Sequence, residues 1–154
     1  MQKQFTRTGN PAFRQGLLFG ILLGLFPIVF NVILSLAGLS TLFIGALETT
    51  FTGIGHFISI VSLIVTILAY LLAGRRASQH TGQVGTGALA GLWTALIGAV
   101  ITWVYAFVFY ATKGPSPTIV PPLSAMVPDA ILSIPVTLLF GAGIGALGGL
   151  LRKR

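Results

Sequence analysis

The chain has no cysteine, and only two of its 154 residues are acidic. Without thiols there is no disulfide framework, no thiol nucleophile and no cysteine-ligated cluster. The two carboxylates, Glu48 and Asp129, lie far apart in sequence, so paired-acid chemistry needs the fold to join distant segments. Charged residues of both signs make up 7% of the chain, against roughly a quarter in an ordinary soluble domain. A chain so poor in charge cannot clothe itself for water. Its surface has to meet something apolar.

What is present is apolar: 55% of the residues are hydrophobic. They gather into four runs, at about 15–39, 54–74, 84–112 and 130–151, each close to the roughly 20 residues a helix needs to cross a bilayer. This predicts an all-α integral membrane protein, a single four-transmembrane-helix bundle over residues 1–154 with short loops. Pro11, just ahead of the first run, suits a helix start. The apolar run after Ala12 is too long for a leader's core, so a retained first helix is expected. Neither Gln2 nor the ending Arg152, Lys153, Arg154 fits a lipidation motif. Arg75 and Arg76 are expected to stop the second helix, with a polar linker from 77 to 83. The segment 113–129 carries Pro115, Pro117, Pro121, Pro122 and Pro128, five of the eight prolines. It is expected to be an extended external loop, with Asp129 capping the fourth helix.

The basic residues give the topology. Lys3, Arg7 and Arg14 precede the first run, Arg75 and Arg76 separate the second from the third, and Arg152, Lys153 and Arg154 follow the fourth. In an even-numbered bundle these eight of the nine basic residues share one side. The positive-inside rule makes that side cytoplasmic, N-in and C-in, with Lys113, Glu48 and Asp129 outside. The net charge of +7 is therefore read as topology signal and contact with anionic headgroups, especially by Arg75, Arg76, Arg152, Lys153 and Arg154. No basic face exists for nucleic acid. Trp103, Tyr105 and Tyr110 are expected at the outer rim, Phe13 and Tyr70 at the inner, and Trp93 deeper, between helices.

Small residues recur at helical spacing. In the first run Gly16, Gly20, Gly24, Pro27, Asn31, Ser35 and Gly38 are separated by steps of three and four, near the helical period of about 3.6. Similar stripes run through Ser62, Thr66 and Ala73, through Gly87, Gly91, Thr94 and Gly98, and through Ser133, Thr137, Gly141 and Gly145. In lipid, helices associate by close backbone approach and a few interhelical hydrogen bonds, because burial of apolar surface gives no drive. The stripes are therefore expected to be packing faces of glycine-zipper type, chiefly Gly16, Gly20, Gly24, Gly87, Gly91, Gly141 and Gly145. The glycines cluster in the inner halves, which predicts a bundle closest there and splayed outside.

Candidate chemistry is sparse. Pro27 and Pro135 should kink their helices, and Asn31 should seek an interhelical partner. Together with Thr66 these residues are candidates for a narrow polar path, but no acid or base lies on the stripes, as coupled transport usually requires. His56 is a candidate axial ligand for a haem or a chlorophyll; His80 belongs to the opposite side. The glycines of 141–148 lie within an apolar span with no strand before them, so they are not a nucleotide loop. Small multidrug exporters also have four spans, but carry a glutamate in the first, where this chain has none. The layout is similar to that of small four-span bacterial membrane proteins. That likeness of class implies a multi-pass protein of the prokaryotic inner (cytoplasmic) membrane. The expected role is a non-enzymatic accessory subunit that packs against a membrane-protein partner or copies of itself. The alternatives are a small channel or transporter, and a pigment or haem subunit.

Overall fold

Asn10 sets the start of the first helix. Its side-chain oxygen accepts a hydrogen bond from the Ala12 N–H, and its carbonyl accepts one from the Arg14 N–H, both at 3.1 Å. This serves a donor of the first turn that has no partner within the helix. Pro11, first in the helix, has no N–H to leave unsatisfied. In the computed structural model four helices follow one another: α1, Pro11–Leu36; α2, Gly53–Thr81; α3, Val84–Lys113; and α4, Leu123–Leu150. The structure describes residues 10–36, 53–113 and 123–151, without the side chains of 31, 34, 35, 53–59, 113, 123–126, 129 and 130.

Two helix ends differ from expectation. The segment 77–83 is not a polar linker: α2 runs on past Arg75 and Arg76 to Thr81. Arginine, alanine and glutamine are good helix formers, so a basic pair that ends an apolar run need not end the helix. Gly82 ends it, with a φ of 78°. Its N–H bonds to the Ser78 carbonyl at 2.9 Å, the single bond of a left-handed helix cap. A side chain in that conformation costs about 1–2 kcal/mol. The second difference lies in the proline-rich segment. α4 begins at Leu123 and carries Pro128 and Pro135 within it, so 123–129 is helix rather than loop. Asp129 is its seventh residue and not its cap. Proline's φ already suits a helix, and so near the helix start its ring meets only one preceding turn.

All four helices are long and apolar enough to cross a membrane, as a multi-pass membrane protein requires. Their outward faces carry Leu22, Ile33, Leu63, Val104, Phe107, Leu132 and Leu139, all exposed. Water would penalise such a surface heavily; acyl chains do not. Among the described residues α2 and α3 each touch all the other helices, while α1 and α4 do not touch one another. The section is therefore a rhombus with α2 and α3 on its short diagonal.

Burial concentrates at the end where α2 turns into α3. Ala12, Phe19, Ala73, Ala77 and Ala90 form one cluster there, joined by buried Ser78, Thr94 and Ala95. Tyr70, expected at the lipid rim, is only 2% exposed. It is a core residue. A phenol on an otherwise small helix face fills the volume that its alanine neighbours leave.

Candidate functional site

The glycine stripes meet in two places. Along α1, Gly16, Gly20 and Gly24 face Trp93, Ile97 and Ile101 of α3, rung for rung. Both sets step by four and both numbers rise together, as parallel helices require. A methyl built on Gly20 would lie 2.7 Å from Ile97 Cβ and 3.0 Å from the Thr94 carbonyl oxygen; one on Gly24 would lie 2.7 Å from Ile101 Cβ. One on Gly16 would press on Trp93 Cβ. Phe13 closes this seam edge-on to Trp93, with ring centroids 5.1 Å apart at 90°, a geometry aromatic pairs favour.

The second place is a three-helix junction. Gly74 of α2, Gly87 of α3 and Gly145 of α4 meet backbone to backbone. A methyl on Gly145 would lie 2.5 Å from the Gly87 carbonyl oxygen and 2.9 Å from Gly91 Cα; one on Gly87 would lie 2.7 Å from the Gly145 carbonyl oxygen and 3.1 Å from that of Gly74. Gly91 and Gly141 face each other in the same way. Ser78 stands at the junction's edge, with its hydroxyl 2.7 Å from where a methyl on Gly87 or Gly149 would be. Ser78 falls in the segment read from sequence as a linker. The signal that places it on the packing face is its four-residue step from Gly74.

The polar groups behave differently from expectation. The hydroxyls of Thr66, Thr94, Thr102 and Thr137 donate to the carbonyls of Ser62, Ala90, Gly98 and Ser133, at 2.8, 2.8, 3.0 and 2.8 Å. Each bond lies within one helix, four residues back, and none crosses between helices. In an apolar medium the carbonyl of the preceding turn is the nearest acceptor. Thr94 is fully buried, with its backbone against Gly16 and Gly20 of α1. Thr94→Val is expected to shift the unfolding midpoint in detergent by the equivalent of less than about 1 kcal/mol, because the Ala90 carbonyl keeps its backbone partner.

Of the other candidates, Pro27 is half-buried and Pro135 faces outward. Neither has an N–H to offer the carbonyl four residues before it. Asn31 lies in α1 and His56 in the first turn of α2, but their side chains fall outside the described residues, as do Arg152, Lys153 and Arg154 entirely. Arg75 and Arg76 are exposed. The Arg76 guanidinium lies over the Phe19 ring, 5.6 Å from its centroid. Among the described residues no three of histidine, cysteine, aspartate and glutamate gather to hold a metal. No family model, curated protein or solved structure matches the chain.

Proposed function

We propose that this chain is an accessory subunit of a membrane assembly, without catalytic chemistry of its own, acting through the outer faces of its helices. The observation that supports this reading is the junction of Gly74, Gly87 and Gly145. Backbone lies on backbone where these three helices meet, and a single methyl at Gly145 meets the neighbouring helix at 2.5 Å. What the molecule offers is its outside. α4 presents an open apolar face: Leu132 is 70% and Leu139 75% exposed, a face that fits a partner helix or a second copy.

The basic residues support an orientation with both termini and the α2–α3 connection in the cytoplasm, closest packed on that side; the short four-span layout favours the inner membrane of a prokaryote. Asp129 stands about 24 Å along α4 from the level of Gly145, so this acid and the arginine-bearing end lie at opposite ends of the rods.

The test is a photo-crosslinking residue placed at Leu132 or Leu139 in native membranes, paired with flux from liposomes holding the purified chain. A crosslinked product of defined mass, with flux of ions and small solutes equal to that of empty liposomes, is expected. Absence of a crosslink at both positions, or flux above the empty control, overturns the reading.

A further inference from the structure

We propose that the groove between α1 and α2, at the end bearing the α2–α3 connection, binds the phosphate of an anionic phospholipid, with Arg76 as principal ligand and Phe19 and Gln15 as positioning residues. The site rests on bilayer placement alone, not on the subunit reading.

The argument starts with depth. α2 continues five residues beyond Arg76, about 8 Å at helical rise. Arg76 is thus rooted in the flank of the rod, level with Phe19, rather than trailing from its tip. Phe19 is only 7% exposed and belongs to the cluster with Ala12, Ala73, Ala77 and Ala90, so its ring is fixed. The residues packed around it are alanines. A guanidinium over that ring face is attracted to it and held beside a fixed ring. A guanidinium stacked on a ring keeps its five N–H donors around its edge, in the fork that matches phosphate.

Gln15 supplies an independent observation. It lies one helical turn before Phe19 on the same face of α1, and its side-chain oxygen is buried with no hydrogen-bond partner. Rotating the amide exchanges oxygen for NH₂, which puts a donor in that place. A polar atom left in that place without a partner is costly, and a phosphate oxygen held by Arg76 offers it an acceptor.

Charge completes the case. Arg14, Arg75 and Arg76 are all exposed at this end, and none of the described side chains is acidic. Three guanidiniums at one end draw an anion, and at the membrane surface the abundant one is the lipid phosphate. Arginine in place of lysine suits a bidentate grip.

The experiment is native mass spectrometry of the full chain in neutral detergent, titrated with phosphatidylglycerol and, separately, phosphatidylcholine, with inorganic phosphate as competitor. Wild type is expected to retain one phosphatidylglycerol in preference to phosphatidylcholine, undisturbed by millimolar phosphate. Arg76→Gln should weaken retention by roughly tenfold or more, the loss of one charge-assisted bond. Arg76→Lys keeps the charge and should fall between. Phe19→Leu should weaken retention with the charge untouched. Arg75→Gln removes the same charge one residue away and should change little. Equal losses in the Arg75 and Arg76 variants would mean a diffuse field and overturn the site. So would indifference to headgroup, or unchanged binding in Arg76→Gln. Quantitative displacement by inorganic phosphate would overturn the lipid as the source.

Discussion

Replacing Gly145 by leucine is expected to cost well over the usual 1–3 kcal/mol of an overpacked core and to abolish monodisperse protein in mild detergent. Replacing Gly143 by leucine, two residues away, should do the opposite. At Gly145 the obstructing atoms are the Gly87 carbonyl oxygen at 2.5 Å and the Gly91 backbone at 2.9–3.0 Å. Backbone has no rotamer to change, so α3 and α4 must move apart as whole rods. At Gly143 a methyl meets nothing within 4 Å, and the residue is exposed. There, removing a glycine from a helix interior gains up to about 1 kcal/mol. Size-exclusion profiles and thermal midpoints of the two variants, measured side by side in one detergent, make the comparison. Equal shifts would mean that the α3–α4 junction is not what holds these helices.

The second expected result concerns the α1–α3 seam, where the obstacle is a side chain. Gly24→Ala should destabilise, since its methyl would lie 2.7–3.0 Å from three atoms of Ile101 and no closer to anything else. Ile101→Gly should also destabilise, by emptying the place where those atoms were. Combined, the two changes should cost less than their sum. The new methyl enters the space that the isoleucine has left, giving a coupling of about 0.5–3 kcal/mol. Unfolding midpoints of the four members of this cycle measure it. Strict additivity would mean that Gly24 and Ile101 are not in contact. No such rescue exists for Gly145, because no substitution removes a carbonyl oxygen. The same residue type thus makes a repairable seam on one side of α3 and an irreparable one on the other.

The sequence announces four rods through the length of its apolar runs and its shortage of charge, because only membrane-crossing elements tolerate both. It also shows the four-residue rhythm of the glycines. It does not show which neighbour each glycine meets: Gly143 and Gly145 share one run, yet one faces open space and the other a carbonyl. That difference is set by how α4 is rotated against α3. The ends of α2 and α4 are misread from sequence for one physical reason. Arg75 and Arg76 end an apolar run, and prolines disfavour helix, but neither signal has to coincide with a helix end. Gly82 is the true stop for α2, and Leu123 begins α4 directly after the proline pair. The threonine hydroxyls escape prediction because their own helices supply acceptors at 2.8–3.0 Å, ahead of any neighbour. Phe19 and Arg76 belong to different runs, and no periodicity connects them.

That α1 and α4 never touch among the described residues carries a consequence for assembly. The α2–α3 hairpin, joined by Gly82 and Gln83 alone, serves as a keel to which the two outer planks are fastened independently on opposite sides. Damage to one fastening leaves the other at full strength, so losses on the two sides should simply accumulate. A chain that sheds its first plank would still present the keel and the fourth, intact, to whatever lies beside it.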